Sequence, residues 1–287
     1  MSSLLILAID TSTEFSSVAL LKIHSDSTAS KNSLAQCFFQ HAKADLASSH
    51  ILLPMISAVL DSAQIQLHDC DAIAYGNGPG SFTGLRTTAS IVQGLAFGAN
   101  LPVIAVSSLM ASAEYIRLQS ASCLFFNQFE QYIANENKAS ALNSHANTLF
   151  FEFALENIKF DKNMPAEFNV IATRDARMNE IYWANYSWQH EHSCWQIRHQ
   201  PQVSKISSIS LPNTPYHLIG NASDFFDKNE MQNSPVIAYD NSAIPHAIAI
   251  AVLGLHSWYL GQKLPAHSAQ PIYIRDKVAL KIAERNA

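Results

Sequence analysis

The residues most able to do chemistry sit in one glycine-rich run. Six of the nine glycines lie between Gly76 and Gly98, four of them in Tyr75-Gly76-Asn77-Gly78-Pro79-Gly80-Ser81-Phe82-Thr83-Gly84-Leu85-Arg86, and none occurs again before Gly220. Glycine is needed where a backbone takes positive φ or comes very close to another group. The preceding Asp71–Tyr75 segment has the character of a buried strand, and Thr83–Asn100, mostly small residues, that of a helix. Strand, tight loop and helix N-terminus is a layout that cradles anions, because the free loop N–H groups and the helix dipole point the same way. It is equally a layout for packing two backbones closely. Both uses stay open on the sequence alone.

Asp10 ends the apolar run Leu4–Ile9 and opens the polar turn Asp10-Thr11-Ser12-Thr13. Such a carboxylate can cap a turn or hold a metal-bound phosphate. Asp175 ends a strand of the second half in the same way, followed by Ala176 and Arg177 rather than glycines. Ser81 and Thr83 offer hydroxyl nucleophiles, but no His or Asp stands at a triad spacing, and Thr83 is placed to cap the helix it begins. His50 has no histidine four residues to either side, so it lacks the one-face pair a helical metal site uses. His190 and His192 would share a strand face but lack a third ligand. These residues predict no catalytic group, no metal and no cofactor of the chain's own.

The elements that position these groups follow from periodicity. Leu4–Ile9, Val18–Ile23 and Leu34–Phe39 predict an antiparallel meander. Leu52, Met55, Ile56, Val59 and Leu60 recur at helical spacing in a helix from about Ala44 to Ala63. Pro102–Val106 predicts a further strand. The second half offers two strands within Asn169–Tyr186 joined at Asp175–Asn179, a neighbour at Trp195–Arg198, a strand at Leu218–Ala222 with a tight turn at Gly220, and a helix from Pro245 to about Leu260. Strands separated by helices predict an α/β fold with mixed sheets. From about Arg117 to Phe168 the texture changes: eight of the fifteen phenylalanines fall there, with no glycine. The expectation is a pair of amphipathic helices inserted into a second domain. The predicted division is 1–107 and 108–287, with the insertion at about 117–168 and a helix at 245–260 able to pack back on the first.

A net charge of −5 and the absence of a dense Lys/Arg run argue against a protein that grips nucleic acid alone. Four well-separated cysteines without a Cys-x-x-Cys pair suit free thiols in a reducing compartment. No stretch approaches a bilayer span, and the N-terminus lacks a basic leader. The expected location is the cytoplasm, away from membranes.

The ordered motifs carry a resemblance. Ala8-Ile9-Asp10-Thr11-Ser12, the glycine run, Gln93-Gly94-Leu95-Ala96, Asp175-Ala176-Arg177-Met178-Asn179-Glu180-Ile181-Tyr182-Trp183 and Pro271-Ile272-Tyr273-Ile274-Arg275 are similar to those of the TsaD/TsaB family of the actin/hexokinase/Hsp70 superfamily. The resemblance implies an actin-like (ribonuclease H-like) fold of two α/β subdomains. It implies a role in N6-threonylcarbamoylation of adenosine 37 in tRNAs reading ANN codons, as the non-catalytic member that forms a heterodimer with TsaD. TsaE, an ATPase, would join them, TsaC would make the activated intermediate, and tRNA would be met through the complex. Active superfamily members prefer glycine where Ser12 stands, so Asp10, Thr11, Ser12, Gly78, Gly80, Ser81, Thr83, Asp175 and Gly220 are expected to form a vestigial nucleotide cleft. Leu52, Met55, Ile56, Val59, Leu85, Ala89 and Val92 either pack inside the chain or form the partner surface; the resemblance implies the latter. Left uncovered, such a surface predicts a homodimer of the lone protein. A nucleotide-dependent phosphotransferase or ATPase, and a metalloprotease, are the alternatives.

Overall fold

The computed structural model describes residues 3–24, 34–43, 48–120, 148–154, 168–226 and 234–275. The first sheet has the order β5-β4-β1-β2-β3-β6. It comprises β1 (Ser3–Asp10), β2 (Phe15–His24), β3 (Leu34–Lys43), β4 (Ala72–Gly78), β5 (Val103–Ser107) and β6 (Leu149–Ala154). The meander β1-β2-β3 is antiparallel, while β4 and β5 run parallel to β1 on its other side. The second sheet has the order β11-β10-β7-β8-β9, with β7 (Phe168–Asp175), β8 (Glu180–Gln189), β9 (Cys194–Lys205), β10 (Tyr216–Ile219) and β11 (Val236–Asp240).

Both faces of the first sheet are covered, which is why Leu4–Ile9 is apolar without alternation. Leu5, Leu7 and Ile9 face one core, together with α1 (Ser48–Ser62) and α2 (Phe82–Ala99). Ile6 and Ala8 face the other, which continues through α3 (Ser108–Ser120) and α4 (Ala247–Tyr259) to Val170, Ala172 and Tyr186 of the second sheet. The layers are therefore helix pair, sheet, helix pair, sheet. Gly254 lets α4 lie close on β4, since a Cβ there would sit 2.7 Å from that of Ala74. This mixed α/β arrangement is the actin-like class anticipated above. Among the described residues no helix is long and apolar enough to cross a membrane.

Three local expectations are corrected. Within 117–168, residues 149–154 form strand β6, antiparallel to β3, rather than part of a helix pair. Cross-strand pairing of Phe151 opposite Cys37 and Phe153 opposite Ala35 buries those aromatic rings. The stretch from 117 to 120 closes α3, and 121–147 and 155–167 lie outside the described residues. Ser81, not Thr83, caps α2: its hydroxyl accepts from the Gly84 N–H at 3.3 Å. The helix expected at Pro245 begins at Ala247, with His246 as the residue before it.

Candidate functional site

The motifs singled out in the sequence converge at one end of the two sheets. Asp10 is 1% exposed. Its Oδ1 accepts from both the backbone N–H and the hydroxyl of Ser12, each at 2.9 Å. Its Oδ2 is buried without a hydrogen-bond partner and faces the α-carbon of Gly76, where a Cβ would come within 1.9 Å. Burial pushes the Asp10 carboxyl up to about 6, against the lowering pull of the Ser12 contacts and the Arg174 charge. This carboxylate is sealed, not presented to a ligand.

The glycine loop is bound to the same turn. A Cβ on Gly80 would lie 2.6 Å from the Ser12 carbonyl oxygen, and one on Gly84 1.8 Å from that of Thr11. The Ser81 N–H donates to the Ser12 carbonyl at 2.8 Å. The Thr11 hydroxyl donates to the Gly84 carbonyl and meets the Thr88 hydroxyl, both at 2.7 Å. Gly78 (φ 116°) supports the carbonyl of Ile272 instead. So four glycines admit neighbouring protein groups, and two of the N–H groups an anion would use are already engaged. A metal-bound phosphate does not fit between the loop and Asp10.

Asp175 is engaged by its own turn and by Asn221. Its Oδ1 accepts from the Arg177 N–H at 2.7 Å, its Oδ2 pairs with the Arg177 guanidinium at 3.1 Å, and its own N–H donates to Asn221. Arg177, Met178 and Asn179 all take positive φ, between 58° and 63°. Gly220 (φ 94°) closes on Thr173, whose carbonyl oxygen a Cβ would approach to 1.9 Å. Burial pulls the Arg174 guanidinium down while the charges of Asp10, Glu14 and Asp175 hold it up. Among the described residues no three His, Cys, Asp or Glu side chains come together as a metal would need.

The segment 270–275, noticed in the sequence only as a motif, straps these parts together. The Ile272 N–H donates to the Asn77 carbonyl at 2.7 Å, and Gln270 bonds the Tyr75 hydroxyl. The Tyr273 hydroxyl accepts from Arg86 at 2.8 Å, and Arg275 bonds Glu180 and the Arg177 carbonyl.

Leu52, Met55, Ile56, Val59, Leu85, Ala89 and Val92 are all buried within the chain, Met55 at 5% and Leu85 at 3% exposed. What α1 and α2 leave outward is a different set: Leu53, Phe82, Arg86, Ser90, Gly94 and Phe97. Phe97 is 81% exposed, Gly94 and Gly98 have open space before them, and Arg86 lies over the Phe82 ring at 3.7 Å. A groove of about 420 Å³ runs between the two helices past Ser49, Phe82 and Ser90.

Fold and site together define a member of the actin-like superfamily in which the phosphate-loop geometry serves packing. A family profile described as TsaD, tRNA N6-adenosine threonylcarbamoyltransferase, matches residues 42–126. A Haemophilus influenzae protein named tRNA threonylcarbamoyladenosine biosynthesis protein TsaB is 31% identical, covering 98% of each chain. The Escherichia coli protein of that name is 28% identical over 96% of each. A solved structure titled YeaZ from Pseudomonas aeruginosa superimposes with a TM-score of 0.64 at 27% identity, covering 94% of this chain and 99% of that one. The chain belongs to the TsaB family of tRNA threonylcarbamoyladenosine biosynthesis proteins.

Proposed function

We propose that this chain serves N6-threonylcarbamoylation of adenosine 37 in tRNAs reading ANN codons as a non-catalytic subunit, supporting TsaD in a heterodimer that TsaE joins. The observation that carries the reading is the closure of the glycine loop on the Asp10 hairpin, with Gly80 and Gly84 set against Ser12 and Thr11. A chain that seals its own phosphate loop gives that loop to rigidity, and what it holds rigid is the start of α2. The partner face is then the outward side of α1 and α2, where small residues at Ser90, Gly94 and Gly98 let a facing helix approach and Phe97 and Phe82 supply apolar contact. The same face accounts for a homodimer when the chain is alone. Nucleotide and tRNA are met by the partners.

Light scattering behind size exclusion tests this with the TsaD of the same organism. A 1:1 complex formed at the expense of a homodimer is the expected result. Failure to associate, with or without TsaE and ATP, would overturn it.

A further inference from the structure

Arg86 is the one charged side chain on α2, and α1 carries a single acid, Asp61, in its last turn. The groove between the two helices is lined by Arg86, by the hydroxyls of Ser49, Thr83, Thr87 and Ser90, and by the apolar Phe82 and Ile91. No carboxylate lines it, and Asp61 stands about three turns along α1 from Ser49. The groove is therefore a positive spot on a chain of net charge −5.

This guanidinium is held in place. Its Cζ lies 3.7 Å from the centre of the Phe82 ring and 5.7 Å from that of Tyr273. Its Nε donates to the Tyr273 hydroxyl at 2.8 Å, and the Phe82 and Tyr273 ring centres are 5.5 Å apart. Tyr273 belongs to the 270–275 strap, which the Ile272 N–H fixes to Asn77, so Arg86 is braced from a second part of the chain. The residue is exposed, and both of its Nη groups are without a partner among the described residues.

A guanidinium fixed in this way has given up much of its freedom before anything binds, so pairing it costs little further entropy. A helix seated on this face takes Arg86 out of water, and a covered guanidinium left unpaired is strongly unfavourable. The occupant must bring an acceptor to the two Nη groups. They stand side by side in one plane, the arrangement that a carboxylate meets with both oxygens.

We propose that Arg86 is the charge anchor of the partner face, taking a carboxylate side chain of the TsaD surface that packs on α1 and α2. This rests on the heterodimer reading above and adds the chemistry the partner must present. Phe82 and Tyr273 are positioning residues: one ring holds the guanidinium plane and the other residue's hydroxyl holds its Nε.

The test is the Kd of the full chain with the TsaD of the same organism. Arg86→Gln is expected to weaken the complex roughly thirtyfold and Arg86→Glu further, with thermal melting near that of the parent because Arg86 is exposed. Arg86→Lys keeps the charge but not the fork, and stays well short of the parent. The parent's affinity falls more steeply with salt than that of Arg86→Gln. Changing one Asp or Glu of TsaD to Lys restores about tenfold or more to Arg86→Glu. Phe97→Glu, about three turns along α2 from Arg86, tests the face alone. If Phe97→Glu weakens the complex and the Arg86 substitutions do not, the anchor is overturned while the face stands. If neither weakens it, both are overturned. The anchor is also overturned if no acid-to-Lys change in TsaD rescues Arg86→Glu, or if Arg86→Glu disrupts only a homodimer, which would make the occupant a second copy of this chain.

Discussion

The Oδ2 atom of Asp10 rests against Gly76 so closely that a Cβ on Gly76 would lie 1.9 Å from it. This contact joins β1 to β4 and decides what the glycine run is for. Gly76→Ala must displace either a buried carboxylate or the strand carrying it. We expect a loss of roughly 3–5 kcal/mol, or failure to fold, measured by urea unfolding. Gly94→Ala is the matched control: open space faces it on a helix. There the higher helix propensity of alanine predicts a gain of about 0.5–1 kcal/mol.

Asp10 itself makes folding pH-dependent. Its folded pKa of about 6 lies above the ordinary 3.8, so the folded state holds a proton the unfolded state has released. That contribution is fully present below about pH 4 and is lost as pH rises toward 6. Asp10→Asn removes the effect. Relative to the parent it should gain stability at pH 7.5, on the order of 2–3 kcal/mol, and gain little at pH 4. Denaturant midpoints at the two pH values check the sign.

His41 and His246 pull the other way. Their rings are 4.8 Å apart, both buried, among Phe15, Phe39 and Tyr115. Burial lowers His41 to about 3, and His246 also falls well below 6.5, with His41 adding repulsion. The unfolded chain binds protons these rings refuse, so stability is lost as pH falls below 6.5. His41→Phe, which suits the aromatic surroundings, should flatten this limb. It should exceed the parent by about 1–2 kcal/mol at pH 5 and by less at pH 7.5.

The partner face calls for outward substitutions. Phe97→Glu and Ser90→Glu should weaken association with TsaD by more than about tenfold while leaving thermal melting near that of the parent. Met55→Glu and Leu85→Glu place a charge in the chain's own core and should unfold it instead, since both are nearly fully buried. Comparing melting with complex formation for the two pairs separates interface from core.

Much of this was legible in the sequence for definite physical reasons. The unbroken run Leu4–Ile9 predicted a strand covered on both faces, and the three-and-four spacing of Leu52, Met55, Ile56 and Val59 predicted α1. That spacing cannot say whose core the stripe enters, and here it enters the chain's own sheet. Helix α3 left little pattern because it lies between two sheets, and its Glu114–Arg117 pair, polar in sequence, is buried at 2.6 Å with Arg117 over Trp188 at 4.0 Å. The neighbouring Ser81 and Thr83 compete for one cap, and only backbone geometry separates them. His41 and His246 stand far apart in the chain, so nothing local in the sequence brings their rings together.

A non-catalytic subunit, as proposed, contributes no group to the transfer step. The most direct measurement is the rate of threonylcarbamoyl transfer to tRNA in a mixture of TsaD, TsaE and the activated intermediate, comparing the parent chain with Asp10→Asn. Rates equal within about twofold are expected. A fall of about a hundredfold or more, with the fold and the TsaD complex intact, would contradict it and return Asp10 to a catalytic role.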